Sequence, residues 1–128
     1  MDKNLLNDLS GEILDASIEV HRELGPGLLE SVYEYCLFEE LNLRRINVEN
    51  QVQLPIYYKG KLLPKEFRID ILVEKEIIIE IKAVEVILPI HQAQIISYLR
   101  LANKSLGFLI NFNVPLLKLG FKRVVNNF

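Results

Sequence analysis

Residues 67–83 read F-R-I-D-I-L-V-E-K-E-I-I-I-E-I-K-A, and their pattern decides the fold. Phe67, Ile69, Ile71 and Val73 recur at every second position, as do Ile77, Ile79, Ile81 and Ala83. Period-2 spacing predicts two strands, with each apolar set on a shared face. The charged triplet Glu74-Lys75-Glu76 between them predicts a hairpin turn. With the turn there, Asp70 on the first strand stands directly opposite Glu80 on the second. A slip of one residue would put them on opposite faces. Lys82 points the same way as Glu80, so two acids and an amine share one face of an isoleucine-rich hairpin.

Opposed like charges destabilise a strand pair. At about 4 Å and an effective dielectric of about 20 the repulsion is roughly 4 kcal/mol. A shared proton, a bound cation or exposure to solvent has to offset it. A hard divalent cation prefers oxygen ligands and would turn the repulsion into binding energy. A surface ion pair is the plain alternative. Against it stands the run Ile77-Ile78-Ile79, which predicts a strand buried on both faces.

Working outward, residues 8–24 predict an amphipathic helix with the stripe Leu9, Ile13, Ala16, Val20 and Leu24. Asn7, Asp8 or Ser10 suits its start and Gly25-Pro26-Gly27 its end. His21 lies beside the stripe, where a structural histidine is the ordinary reading. A second helix is predicted over residues 28–42, with Val32, Tyr33, Cys36, Leu37 and Leu41 inward. Glu30 falls in its first turn, where the helix dipole favours a carboxylate; the alternative has it facing the hairpin acids.

Residues 50–58 predict a strand, Gly60-Lys61 a turn, and Pro64 a separation before the hairpin. Those three strands form an antiparallel meander. Pro89 opens a helix that runs to Ala102, with Ile95, Leu99 and Ala102 as its core stripe. His91, Gln94 and Tyr98 line an adjacent stripe of uncharged polar groups. Residues 105–112 alternate as a further strand. Strand, helix and strand in succession predict a right-handed crossover with parallel pairing. Pro115 begins a loop and residues 120–125 a last short strand.

The chain has 128 residues, half of them hydrophobic and a quarter charged, as expected of one globular domain spanning 1–128. No apolar run approaches the ~20 residues of a membrane span. The first residues lack the basic start and apolar segment of a signal peptide. One cysteine, Cys36, excludes an internal disulfide, and no Cys/His cluster suits structural zinc. A cytoplasmic protein without a membrane partner is the expectation. All 17 acidic residues lie in 1–85 with 10 basic ones, whereas residues 86–128 hold 5 basic residues and no acid. A basic third of this kind suits a phosphate backbone, although a solvated surface explains it equally well.

The order helix, helix, three strands, helix, strand, strand, with the acids so placed, resembles the PD-(D/E)XK nuclease core. That superfamily's signature is an Asp on the second core strand and a Glu/Asp-x-Lys on the third. Here these positions are Asp70 and Glu80-Ile81-Lys82, with Ile69 where the eponymous proline would stand. The stretch Gly27-Leu28-Leu29-Glu30-Ser31-Val32-Tyr33 is similar to the motif of the GxxExxY family, grouped with those nucleases. Similar words surround it: V-H-R-E-L-G-P-G-L-L-E-S-V-Y-E, E-I-K-A-V-E, H-Q-A-Q-I-I-S-Y-L and L-I-N-F-N-V-P-L-L-K.

The resemblance implies a restriction-endonuclease-like α+β fold: an antiparallel meander, a right-handed βαβ crossover and flanking helices. It implies Mg²⁺ or Mn²⁺ held by Asp70, Glu80 and the backbone carbonyl of Ile81. Lys82 would orient or deprotonate the attacking water or stabilise transition-state charge. Glu30 would complete the site, and Gln94 matches a glutamine that several nuclease subgroups carry. His21, Tyr33, His91 and Tyr98 would orient groups or contact substrate. The implied substrate is nucleic acid, DNA rather than RNA, and a homodimer would let so small a core span a duplex. A non-catalytic binding module and a structural homodimer on the same fold are the alternatives.

Overall fold

The computed structural model describes residues 1–128. Two helices, α1 (Lys3–Leu24) and α2 (Glu30–Leu43), precede three strands, β1 (Val48–Tyr58), β2 (Lys61–Val73) and β3 (Ile77–Lys82). Then come α3 (Pro89–Ala102), β4 (Leu106–Asn111), the single turn α4 (Leu117–Gly120) and β5 (Phe121–Val125). The strands form one mixed sheet in the order β1-β2-β3-β4-β5. Only β3 and β4 run parallel, joined through α3; every other neighbour is antiparallel. This is the mixed sheet with flanking helices that the sequence predicts for a PD-(D/E)XK-like fold.

Two cores separate three layers. On one face Ile13, Ala16 and Val20 of α1 and Tyr33, Leu37 and Leu41 of α2 pack on alternate residues of β3 and β4. On the other, Ile95, Tyr98 and Leu99 of α3 pack on Leu72, Ile78 and Leu109. Strand β4 is therefore buried at all six positions, not on one alternating face. Arg44, just past α2, ties the two helices on one side together, bonding Asp15 at 2.7 Å and Glu40 at 2.9 Å. No helix is long and apolar enough to cross a membrane.

Several boundaries differ from expectation for local reasons. Helix α1 starts at Lys3, not at residue 8, because Asp2 caps it by accepting from the Leu5 N–H at 2.9 Å. Leu6 extends the buried stripe by one more turn. Pro64 does not interrupt β2; it sits where the β1–β2 register shifts past Pro55, at a bulge that needs no donor from it. The segment after Pro115 coils into the short turn α4 rather than staying open.

The largest departure lies in β2. Ile71 and Val73 pack with α1 and α2, but Ile69 joins the α3 core and the Phe67 ring lies 5.4 Å from that of Tyr98. The four residues do not share a face. The ladder with β1 passes from Asn50↔Ile71 to Val52↔Ile69 with no Gln51–Asp70 pair between. Gln51 has φ 50°, a left-handed conformation that breaks the alternation of its strand. Asp70 occupies the crossing point where β2 changes faces.

Candidate active site

The hairpin register is the one the sequence predicts, with Val73↔Ile77 through Ile71↔Ile79 paired. The ladder stops there, one step short of Asp70 and Glu80. At that step side chains replace the backbone bonds. The Ile81 N–H donates to Asp70 Oδ2 at 2.8 Å, and the Asp70 N–H approaches Glu80 Oε1 at 3.5 Å. Two carboxylates thus meet where two strands part. Glu80 is only 5% exposed. Burial, then the charge of Asp70, pushes its carboxyl up to about 9. Burial also raises Asp70, opposed by the Ile81 N–H, by its contact with Glu80 and by the charge of Lys82. Burial and mutual repulsion thus favour a proton on the pair.

Lys82 ends β3 on the same face as Glu80, and its charge lowers both acids. Glu30, the first residue of α2, accepts the Ala83 N–H at 3.2 Å, so α2 is fastened to the chain just beyond Lys82. One turn on, Glu34 accepts both bonds from Gln51 Nε2, at 3.1 and 2.9 Å. Burial raises Glu34, and the charges of Asp70 and Glu30 add to the rise. Glu34 is thus a fourth acid beside the kink, unrecognised in the sequence although it stands four residues from Glu30 on one helical face. Asn111 was also missed. It pairs in register with Lys82 and holds Val84 through both its N–H, at 3.1 Å, and its carbonyl, at 2.9 Å. A buried asparagine in an apolar strand was the available signal.

On α3, Gln94 Nε2 donates to the Tyr98 hydroxyl at 3.1 Å. Burial raises Tyr98, and so does the charge of Glu80, which places this helix face towards the acids. His91 accepts the Leu88 N–H on Nδ1 at 3.0 Å, capping the helix and leaving Nε2 free. These three side chains, with Phe67, Lys82 and Ser97, wall a cavity of 530 Å³. The structure therefore brings His91, Gln94 and Tyr98 together with Lys82.

His21 and Tyr33 lie elsewhere. His21 Nε2 bonds the Val114 carbonyl at 2.8 Å and lines a different cavity, with Ile18 and Leu117. Tyr33 is fully buried, stacked on Phe112 with ring centroids 4.7 Å apart. Its hydroxyl donates to the Gly25 carbonyl at 2.6 Å and accepts the Leu28 N–H at 3.0 Å. Neither side chain lines the cavity beside Lys82. Tyr33 instead clamps the loop that leads into Glu30, a loop that Gly25 enters at φ 69°. Tyr33→Phe strands a carbonyl and an N–H, so urea unfolding should register a loss of about 1–3 kcal/mol. An unchanged midpoint would mean the hydroxyl is not a clamp.

The donor set fits a hard divalent ion. Asp70, Glu80 and the Ile81 carbonyl offer oxygen, and burial beside Asp70 leaves Glu80 in conflict with a second carboxylate. No three His, Cys, Asp or Glu side chains lie close enough to enclose an ion. The Asp70–Glu80 pair suits Mg²⁺, which is usually held by one or two carboxylates and keeps several waters.

A sequence model of the PD-(D/E)XK nuclease superfamily matches residues 7–124. The chain belongs to that superfamily, whose nucleases are typically dependent on a divalent metal and whose substrate is nucleic acid. Among solved structures the chain is similar to the crystal structure of SSO0001, with a TM-score of 0.52 and 24% identity. The match covers 73% of this chain and 47% of that one, so the chain spans about half of that protein's length. The likeness is one of fold. No curated protein matches the chain significantly.

Proposed function

We propose that the chain is a GxxExxY-type nuclease that hydrolyses phosphodiester bonds in nucleic acid, DNA rather than RNA, with Mg²⁺ or Mn²⁺ as cofactor. The observation that carries this reading is the meeting of the Asp70 and Glu80 carboxylates at the broken ladder, with Lys82 on the same face. Asp70, Glu80 and the Ile81 carbonyl are assigned to the ion. When bound, such an ion supplies Lewis-acid polarisation of a phosphoryl oxygen. Lys82 donates to the attacking water and sits against the charge that develops on the phosphoryl oxygens. Water oxygen bonds to phosphorus and gives up a proton to solvent, the bond from phosphorus to the leaving sugar oxygen breaks, and that oxygen takes a proton from solvent. Gln94, whose amide N–H is engaged by Tyr98, keeps its carbonyl oxygen free to orient the water. His91 and Tyr98 are assigned to substrate, and Glu30 to holding the strand beyond Lys82 in place.

The test is cleavage of labelled single-stranded, duplex and branched DNA with Mg²⁺ or Mn²⁺. Lys82→Ala should lower cleavage by on the order of 10²–10³-fold, as loss of one charge-stabilising donor does. Its binding to DNA in EDTA should stay within a few-fold of wild type. A wild-type protein that cuts none of these substrates ends the catalytic reading. The alternative is a non-catalytic module that binds nucleic acid or a partner protein. For that module Lys82→Ala would change nothing.

A further inference from the structure

Beyond Val52 and Leu54 the β1–β2 hairpin leaves the body of the protein. From Pro55 to Glu66 only Ile56 and Leu63 are even partly covered. Tyr57 is 62% exposed, Tyr58 63% and Leu62 55%, which is unusual for three large side chains on so short an arm. Register pairs Tyr57 with Leu62 and Tyr58 with Lys61 across the Lys59-Gly60 turn. Successive residues face opposite ways along a strand, so the arm carries one tyrosine ring on each side. The Lys59 ammonium lies 5.4 Å from the Tyr58 ring centre.

Charge identifies what the arm fits. Between Glu49 and Glu66 there is no acidic residue, while Lys59, Lys61 and Lys65 all lie on the arm. In a protein of net charge −2 this is a local cationic projection. Its root is continuous with the candidate site, because Phe67 at the base of the arm also walls the Lys82 cavity. At ~3.3 Å per residue the tip reaches roughly 30 Å along β2 from Asp70. A two-stranded ribbon with basic side chains fits the major groove of a duplex, and exposed rings stack on unpaired bases.

We propose that this arm, residues 55–65, is a nucleic-acid contact, with the three lysines on phosphates and the two tyrosines on bases or sugars. It names a substrate-binding element for the nuclease reading and rests on it for the site it serves. A second copy of the chain is the poorer occupant. A symmetric pair would set each arm's lysines against the other's. Pro55 and Pro64 also remove two backbone donors that edge pairing would use.

The experiment measures fluorescence anisotropy of wild type, Lys59→Gln/Lys61→Gln/Lys65→Gln and Tyr57→Ala/Tyr58→Ala. The probes are one DNA sequence as single strand and as duplex, in EDTA and over a range of NaCl. The triple variant should flatten the log Kd against log salt slope on duplex by about 2–3. The tyrosine variant should weaken single-strand binding by about 10-fold or more. Loss on the single strand alone identifies unpaired bases as the partner; equal loss on both identifies a ribbon seated in a groove. Wild-type binding by both variants overturns the proposal. So does a change in sedimentation from dimer to monomer with DNA binding intact. Cleavage with Mn²⁺ separates the two readings. If arm variants lose binding while wild type cuts nothing, the arm stands and the nuclease falls; if wild type cuts and the variants bind and cut as well as it does, the reverse holds.

Discussion

Glu80→Gln should abolish Mn²⁺-dependent cleavage, by on the order of 10³-fold or about 4 kcal/mol of barrier, and yet stabilise the metal-free protein. The two effects have one cause. Glu80 is buried beside Asp70 and its carboxyl is pushed up to about 9. Its unfolded value is near 4.5, so the folded chain binds the extra proton between those limits. Stability is therefore complete below about pH 4.5, falls as pH rises through the window, and levels off above about 9. Each pH unit inside that window is worth at most about 1.4 kcal/mol, or roughly 5 °C in a domain of this size. Melting in EDTA should show that decline for wild type and a flatter profile for Glu80→Gln, whose amide oxygen still accepts the Asp70 N–H. Asp70→Asn should lose cleavage equally, while keeping an oxygen for the Ile81 N–H that Asp70 now accepts. If Glu80→Gln melts lower than wild type in EDTA at pH 8, the carboxylates are not in conflict and the cation has nothing to relieve.

What the sequence made legible was whatever followed from period and spacing. Alternation gave the hairpin, the triplet Glu74-Lys75-Glu76 gave its turn, and together they gave the register that sets Asp70 against Glu80. Helical spacing put His91, Gln94 and Tyr98 on one stripe, and the structure keeps that stripe beside Lys82. Alternation failed where the backbone itself breaks it. Nothing in the letters around Gln51 signals a left-handed residue, so the change of face at Asp70 was invisible, and Phe67 and Ile69 were placed on the wrong side. His21 and Tyr33, drawn from the same motif words, lie outside the Lys82 cavity, and Tyr33 orients the loop that leads into Glu30. A motif word gathers residues that hold a loop as well as residues that hold a substrate, and its letters do not separate them; the bonds of Tyr33 to Gly25 and Leu28 and of His21 to Val114 are visible only in the structure. Glu34 and Asn111 were missed because each acts through a partner distant in sequence, Gln51 and Val84.

Mn²⁺ affinity should rise about tenfold for each pH unit on the acid side of 9, so from pH 6 to pH 8 the Kd should tighten by about 100-fold. The reason is competition for one position. The proton that Glu80 carries occupies the charge deficit that a cation would fill, and it must leave before both carboxylates can act as ligands. Lys82 works against that proton, since its charge favours the ionised carboxylate. Titration calorimetry in two buffers of different ionisation enthalpy should report about one proton released per ion at pH 7. Glu80→Gln removes both the proton and the second ligand, so its residual affinity should be weak and nearly independent of pH. A wild-type Kd that stays flat from pH 6 to pH 8 would place the ion away from Glu80. The pairing of Asp70 with Glu80 would then be a cost of the fold rather than the basis of its chemistry.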